Sequence, residues 1–151
     1  MSHWASGVTV VTTRDKDGNP YGLTVSSFTS VSLEPILVLV CLDKRLSGMR
    51  AFEESMNFGV SILSESQEEV SRIFAKKDSV RPSELYFSGE TGIPLICHSL
   101  ATLECDTIAT YPGGDHVILL GQVRALQHLE SKAGKTPLLY CRGKYCIFPK
   151  E

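Results

Sequence analysis

The pattern of apolar and polar positions predicts a chain built mostly of β-strands. Two β-branched segments, 7–13 and 21–28, flank the sequence RDKDGNP, in which Asp17-Gly18 is a strong signal for a tight turn. We therefore expect an antiparallel hairpin at this point of the chain. Residues 36–42, ILVLVCL, form a continuous apolar run, which is typical of a strand that is buried on both faces.

Later segments carry the same β pattern. Strands are predicted over 58–63, 100–109 and 116–126, with one or two short strands within 137–149. Strands do not alternate with helices in the way that a parallel sheet requires. The order of elements therefore favours a single domain over residues 1–151, mostly β with two short helices, folded as a small antiparallel barrel.

Two short helices interrupt the strands. Ser47 is a suitable cap for the first, which we expect to continue through Glu53. The second follows a capping box at 64–67 and has glutamates early and basic residues late, as the helix dipole favours. Its apolar stripe consists of Val70, Ile73 and Phe74. The polar segment 77–94, rich in Pro and Gly, is predicted to be a long irregular loop.

Composition and charge narrow the function classes. The 151 residues are 42% hydrophobic and 21% charged, which is typical of a globular protein, and the formal net charge is −2. Such a charge gives no broad field for nucleic acid or an anionic membrane, so we expect neither as a partner. The residues after Met1 lack the basic start of a signal peptide, and no apolar run reaches spanning length. We therefore expect a cytoplasmic protein.

The cysteines indicate reduced thiols that serve as small apolar side chains. There are five, with no C-x-x-C pair. The spacing of Cys141 and Cys146 leaves a redox pair open as the alternative. His98 follows Cys97, but no third ligand stands at metal spacing, so no metal site is predicted.

A cluster of small hydroxyl side chains lies in GLTVSSFTSVSLEP, residues 22–35. Ser and Thr are common at strand ends and in turns, where they satisfy the backbone, and that interpretation stays open. The alternative is a ligand site. Strand alternation places Thr24 and Ser26 on one face and Ser27 on the other or at a bend. A row of hydroxyl and N–H donors suits a polyol or phosphate that lies against the sheet.

The sequence PGGDH, residues 112–116, permits two interpretations as well. It is a good β-turn and need be nothing more. Its glycines also allow a ligand to approach the backbone beside His116 closely, which distinguishes this histidine from His3 and His128.

Four segments together resemble the flavin reductase family. They are WASGVTVVTT, then G-x-TVSSF-x-SVSLEP-x-LVLVCL, then SRIFA, and finally GGDH before a strand, and they cover nearly the whole chain in the family's order. The resemblance implies a homodimer of Greek-key split barrels that binds FMN, or FAD, in a groove near the subunit interface. It also implies reduction of the flavin by NADH or NADPH, and delivery of reduced flavin to a partner monooxygenase component or to oxygen. The family's usual leading helix would be clipped or absent here.

The resemblance also implies which residues form the site. His116 would be the catalytic residue and would lie over the flavin ring where the nicotinamide docks. The remaining flavin-binding residues would be a hydroxyl-rich strand end (Thr24, Val25, Ser26, Ser27), the end of the apolar strand (Cys41, Leu42), two residues after it (Arg45, Ser47) and three on the second helix (Ser71, Phe74, Ala75). The first set would contact the ribityl chain, ring edge or phosphate, and the helix residues would border the phosphate or adenylate.

Other functions remain possible on sequence alone. The main alternative is an FMN-binding electron-transfer protein that is not reduced directly by NAD(P)H. A β-barrel interaction protein without a cofactor is a third hypothesis. A barrel resembling pyridoxamine-phosphate oxidase is a fourth, although the first 60 residues offer few basic phosphate ligands. In the flavin reductase hypothesis the cofactor carries the chemistry, so the protein needs little acid–base machinery of its own.

Overall fold

The structure is a computed structural model and describes residues 3–77, 81–128 and 136–147. The strands are β1 (Ser6–Gly7), β2 (Thr9–Arg14), β3 (Pro20–Val25), β4 (Thr29–Leu33), β5 (Ile36–Asp43), β6 (Asn57–Ile62), β7 (Tyr86–Ser88), β8 (Pro94–Ile96), β9 (Ala101–Gly113), β10 (His116–His128), β11 (Leu139–Cys141) and β12 (Lys144–Cys146). The helices are α1 (Met49–Glu54) and α2 (Glu68–Ala75), and short 3-10 turns cover Glu65–Gln67 and Ser83–Leu85.

A seven-stranded antiparallel sheet forms the body of the fold. Its strand order is β3-β2-β6-β9-β10-β5-β4. The two edge strands, β3 and β4, follow each other in the chain and are joined by residues 26–28 alone. So short a link brings the two edges together, and the sheet therefore curls into a split barrel. The mostly β, antiparallel barrel class predicted from the sequence is confirmed.

Two apolar clusters pack against the barrel wall, one inside the barrel and one on its outer face. The inner cluster includes Val11, Val40 and Phe58, all fully buried. The outer cluster packs Val10 of β2 against Phe74 of α2. Strand β2 therefore has apolar neighbours on both faces, which explains why its sequence does not alternate.

Strand β5 departs from its prediction. Its side chains alternate, with Val38, Val40 and Leu42 buried and the residues between them only half-buried. The expectation that this strand is buried on both faces was therefore wrong. One of its faces contacts the barrel core, and the other, which carries Cys41, stays partly open.

The two helices differ in how well the sequence predicted their starts. Helix α1 begins at Met49 with Gly48 as its N-cap, so the prediction that Ser47 caps it was wrong. The Gly48 N–H instead donates to the Tyr21 hydroxyl at 3.1 Å. The capping box at 64–67 is confirmed: the Ser64 N–H donates to the Gln67 Oε1 at 3.0 Å, ahead of α2.

Three further features of the fold differ from the predictions. Strand β4 was not predicted, and the segment 77–94 is not wholly irregular, because β7 and β8 pair within and just beyond it; residues 78–80 lie outside the described residues. Strands β9 and β10 continue to a two-residue turn at Gly114 and Asp115, where Gly114 has φ +71°.

The C-terminal hairpin packs beside the site described below. Strands β11 and β12 pair with each other, and β1 pairs with β11, forming a small three-stranded sheet. The predicted short strands are confirmed, and residues 148–149 of that prediction lie outside the described residues. Within the described part of the chain, no helix has the length and apolar character that crossing a membrane requires.

Candidate functional site

The link between β3 and β4 presents a row of free backbone donors. Within the described ranges, the N–H groups of Ser26, Ser27 and Phe28 have no hydrogen-bond partner. Ser26 is exposed and the two following residues are half-buried. Successive unpaired N–H groups in a turn form a ready site for an anion or for carbonyl oxygens of a ligand.

The Ser27 hydroxyl is used by the fold. It donates to the Cys41 carbonyl at 2.8 Å and accepts from the Cys41 N–H at 3.0 Å. The β4–β5 ladder ends two residues earlier, at the Thr29–Leu39 pair, so this hydroxyl supplies one further rung. What Ser27 offers to a ligand is therefore its N–H rather than its hydroxyl proton.

Thr24 connects the end of β3 to helix α2 and, through it, to the terminal hairpin. Its hydroxyl donates to the Ser71 carbonyl at 2.7 Å. The Ser71 hydroxyl in turn shares a 2.8 Å hydrogen bond with the Tyr145 hydroxyl of β12. Three elements that are far apart in sequence are thereby fixed around one point.

A cavity of about 180 Å³ opens at that point. Thr24, Val25 and Ser26 form its wall on β3, and Ala75 at the end of α2 forms another part. The hairpin contributes two aromatic rings, Tyr140 and Tyr145, whose centroids lie 5.4 Å apart. A planar ligand with hydrogen-bonding edges suits a wall made of rings, small hydroxyls and free N–H groups.

A second cavity, of about 220 Å³, adjoins the first at Ala75 and is rich in positive charge. Among the described residues, four cationic side chains line it, and Asp43 is the one carboxylate. The cations are Arg45, Lys76, Lys77 and Arg81. This excess of positive charge at the end of a partly apolar groove suits a phosphate or pyrophosphate.

Arg81 is fixed over aromatic rings. Its guanidinium lies 5.0 Å from the Tyr21 ring centroid and 5.7 Å from that of Phe74. Its Nε is buried and has no hydrogen-bond partner among the described residues. Tyr21 itself rests on Gly48: a Cβ at residue 48 would lie 1.9 Å from the ring. Glycine is therefore needed there for close approach of the ring.

Arg45 and Asp43 form an exposed ion pair at the rim of the second cavity. Arg45 Nη2 lies 2.6 Å from Asp43 Oδ2, and Nε donates to the same carboxylate. These hydrogen bonds hold the pKa of Asp43 well below its usual range, and they raise the pKa of Arg45. Asp43 is thus ionised at any ordinary pH and offsets one of the four cations.

His116 is the first residue of β10 and lies directly opposite Asp43 of β5. Its Nδ1 lies 2.7 Å from Asp115 Oδ1, and this hydrogen bond lowers the pKa of Asp115. Because the carboxylate can only accept, Nδ1 carries the proton, and Nε2 is left as the ring atom that can meet a ligand. The His116 side chain is 41% exposed.

The structure brings most of the predicted residues together. Arg45, Ser47, Phe74 and Ala75 line the second cavity, and Ala75 also lines the first, with the β3 residues. Leu42 and Ser71 are both fully buried. The Leu42 side chain therefore faces the core. Ser71 contributes to the first cavity indirectly, by its hydrogen bonds with Thr24 and Tyr145. Ser26 and His116 do not line one common cavity within the described part of this chain.

Sequence reasoning missed three residues that shape these cavities: Tyr21, Arg81 and Tyr145. Tyr145 is 74 positions from the Ser71 that it contacts. Arg81 stands in a polar segment where nothing marks it apart from its charge. Only for Tyr21 was there a local signal, since it follows Pro20 on a strand that leads into the hydroxyl cluster.

Of the cysteine thiols, that of Cys105 is fully buried. Burial raises the pKa of Cys105 to about 12, so its thiol is protonated and inert. No disulfide joins the cysteines of the described residues, and Cys141 pairs in register across its hairpin with Lys144 rather than with Cys146. Among the described residues, no group of three or more His, Cys, Asp or Glu side chains is arranged to hold a metal ion.

The amino-acid sequence of the chain is similar to those of known proteins. A family model described as "Flavin reductase like domain" matches residues 1–149. A Rhizobium meliloti (strain 1021) protein named "Probable flavin reductase" is 40% identical over 148 residues, covering 94% of this chain and 45% of that protein. The reductase component of a flavin-dependent trigonelline monooxygenase from Acinetobacter baylyi is 41% identical over 141 residues, covering 93% of this chain and 44% of that protein.

The fold is likewise found among solved structures. The Streptomyces globisporus C-1027 NADH:FAD oxidoreductase SgcE6, in complex with NAD and FAD fragments, superposes with a TM-score of 0.90 at 35% identity. The match covers 98% of this chain and 88% of that one. The chain spans less than half the length of the two sequence relatives named above.

Proposed function

The chain belongs to the flavin reductase family, and from this premise we propose that it catalyses reduction of a flavin, FMN or FAD, by NADH or NADPH. The observation that carries the proposal is the row of free N–H groups at residues 26–28 beside a groove that is rich in positive charge. Such a groove fits a molecule with a hydrogen-bonding planar ring at one end and a phosphate at the other.

The chemical groups that line the two cavities suit a flavin. The N–H groups of Ser26 and Ser27 can donate to carbonyl oxygens of the ring or to the ribityl chain. Tyr140 and Tyr145 give the first cavity aromatic walls, and Thr24 fixes the wall between them and α2. When bound, the flavin supplies the redox chemistry by accepting a hydride from the reduced nicotinamide. Donors aimed at the ring stabilise negative charge that develops on it.

We assign the phosphate to the second cavity. Arg81 is held rigid by Tyr21 and Phe74, and its Nε has no protein partner within the described residues. Arg45 is anchored at the rim by Asp43. A preorganised guanidinium binds phosphate oxygens with little loss of side-chain entropy, so these two residues hold the anion in place.

His116 positions the nicotinamide in this proposal. Asp115 fixes its tautomer, and Nε2 can hydrogen-bond to the nicotinamide carboxamide or to a phosphate oxygen. Because His116 and the β3–β4 link do not line one cavity formed by the described residues of a single chain, the nicotinamide would have to bridge the two regions, or a second copy would complete the site.

A second copy of the chain is the partner that we propose for the barrel edge. Strand β4 exposes Val31 (48%) and Leu33 (87%), and Ile36 at the start of β5 is 53% exposed. Ser32 is the least exposed residue of that strand, so β4 presents its apolar side chains to solvent. An exposed apolar edge strand favours association, and a homodimer would cover it.

The reduced flavin would pass to a monooxygenase component, as the name of the Acinetobacter baylyi relative indicates for that protein. The interpretation of residues 1–151 as one domain and the cytoplasmic location stay predictions from the sequence. A nucleic acid or membrane partner is not part of the proposal.

The decisive experiment is anaerobic mixing of the flavin-loaded protein with NADH or NADPH, followed by loss of the oxidised flavin's visible absorbance. We expect rapid bleaching with at least one nucleotide. His116→Ala should leave flavin affinity unchanged and slow bleaching by about tenfold or more, whereas His128→Ala, at an exposed position that lines neither cavity of the groove, serves as the control. Flavin that binds but stays oxidised would favour the electron-transfer alternative, and absence of flavin binding would refute both.

A further inference from the structure

A third cavity lies beside the start of β9 and the end of β10 and shares no lining residue with either cavity of the groove described above. It has a volume of about 280 Å³ and mainly apolar walls. Its lining includes Phe87, Ile96, Cys97, His98, Thr102 and His128. No Lys, Arg, Asp or Glu side chain lines it among the described residues.

One polar group at this cavity has no partner. Thr102 is only 5% exposed, and its Oγ1 makes no hydrogen bond within the described part of the chain. The neighbouring hydroxyls are already engaged: Ser99 donates to the Ile96 carbonyl at 3.0 Å, and Ser61 accepts from the Ile96 N–H at 3.0 Å. A buried hydroxyl that lacks a partner costs free energy in the folded state, and a native protein rarely keeps one without a use.

We propose that this cavity binds an uncharged single-ring aromatic molecule with a hydroxyl group, of the phenol class. The volume exceeds the roughly 150 Å³ that holds one benzene ring, so a substituted ring fits. Phe87 and His98 contact the body of the ring, and Thr102 Oγ1 hydrogen-bonds with the ligand hydroxyl. The absence of charged lining groups disfavours phosphates and carboxylates, for which the second cavity of the flavin groove is the better site.

The two imidazoles and the aromatic wall favour a flat ring over an aliphatic ligand. His98 and His128 lie with Phe87 around the cavity, and ring edges and faces of this kind pack well against another ring. His98 holds φ +62°, an uncommon conformation for a residue other than glycine. Cys97 and the two histidines do not form a metal site, because no group of three such ligands comes together among the described residues.

The test uses two nearly isosteric probes, phenol and toluene, and the protein loaded with FMN. Binding is followed by ¹H–¹⁵N NMR shifts, so that the site is located as well as measured. We expect saturable shifts at the amides of Cys97, Ser99 and Thr102. Thr102→Val removes only the hydroxyl, and it should change the phenol-to-toluene affinity ratio by about tenfold against the natural protein. Thr110→Val, at an exposed position on the same strand, should leave that ratio unchanged.

Several outcomes would overturn the proposal. Shifts that rise linearly without saturation would show that the cavity holds only water. Saturable shifts confined to Thr24, Ala75 and Tyr145 would place the phenol in the flavin groove. An unchanged affinity ratio in Thr102→Val would show that the orphan hydroxyl does not contact the ligand. Loss of more than a few degrees of melting temperature in this variant would show that Oγ1 already has a partner in the fold, whereas an unchanged or raised value supports the proposal.

Discussion

The hydroxyl of Ser27 takes both hydrogen bonds that the peptide groups of Cys41 offer, donating at 2.8 Å and accepting at 3.0 Å. A side chain here replaces a strand partner, since β4 pairs with β5 only as far as Leu39. The contact fixes the three-residue link between the barrel's edges, and the N–H groups of that link, which have no partner among the described residues, are left for a ligand.

This relationship predicts different effects for two neighbouring serines. Ser27→Ala would leave the N–H and C=O of Cys41 without partners, and we expect a loss of about 1–3 kcal/mol in the free energy of unfolding. Ser26→Ala removes an exposed hydroxyl that makes no protein hydrogen bond among the described residues, so its effect should be within about 0.5 kcal/mol. Urea denaturation of the two variants measures the difference. Equal losses would contradict the assignment of a structural role to Ser27.

The hydroxyl cluster shows how far sequence reasoning could go. Both interpretations of it apply, to different groups: Ser27 and Thr24 use their hydroxyls within the fold, while the N–H groups of 26–28 are available to a ligand. Residue type alone cannot separate the two, because it does not say which backbone group a hydroxyl will meet. The barrel class and the hairpins could be predicted because each follows from a local pattern.

Strand β4 could not be predicted, for a physical reason. Its apolar side chains, Val31 and Leu33, point to solvent, and Ser32 lies on the more buried side. A search for apolar residues that face a core fails on such a strand. Arg81 and Tyr145 were missed for another reason, because their partners, Tyr21 and Ser71, are distant in sequence and only the tertiary fold brings them together.

The hydrogen bond between Ser71 and Tyr145 predicts a second pair of variants. Tyr145→Phe removes the partner of a fully buried hydroxyl, and we expect a loss of about 1–2 kcal/mol in stability. Tyr140→Phe is the matched control, because that ring lines the same cavity and its hydroxyl makes no hydrogen bond within the described residues. Because Tyr145 also lines the first cavity, its variant should bind flavin more weakly, as measured by quenching of flavin fluorescence. A stable Tyr145→Phe protein would show that this bond is dispensable.

The position of Arg81 in the second cavity predicts that this residue contributes to binding of the flavin phosphate and not to binding of the ring. Arg81→Leu keeps an apolar stem against Tyr21 and Phe74 but removes the charge. The affinity for FMN should fall by about tenfold to a hundredfold, while the affinity for riboflavin, which lacks the phosphate, should change little. Arg124→Leu, which breaks an exposed ion pair with Asp106, is the control. Equal losses for FMN and riboflavin would mean that Arg81 supports the ring rather than the phosphate.

The close packing of Tyr21 on Gly48 predicts that a single methyl group added at residue 48 disturbs the second cavity. A Cβ there would lie 1.9 Å from the ring of Tyr21, so the ring must move and Arg81 loses its support. Gly48→Ala should lower the free energy of unfolding by about 1–3 kcal/mol and weaken FMN binding. Gly7→Ala is the control, since nothing lies within 4 Å of its Cβ. Matching behaviour of the two variants in denaturation and FMN titration would contradict the packing described here.

Cys105 predicts how stability changes at alkaline pH. Burial raises its pKa from an ordinary value of 9.0 to about 12. Between these values the unfolded chain loses the thiol proton and the folded chain keeps it, so the folded state binds more protons and stability falls as pH rises. Below pH 9 both states are protonated and the thiol has no effect on the pH dependence.

The contribution of Cys105 to this fall should reach about 1.4 kcal/mol per pH unit across that window. Other groups titrate equally in the natural protein and in Cys105→Ala, so the difference between their denaturation curves isolates the thiol. That difference should shrink steadily above pH 9, because Cys105→Ala lacks the group that ionises on unfolding. A thiol reagent at pH 8 gives an independent measurement, since Cys105 should react only after unfolding; rapid modification of Cys105 in the folded protein, or parallel curves above pH 9, would show that this thiol is not buried as described.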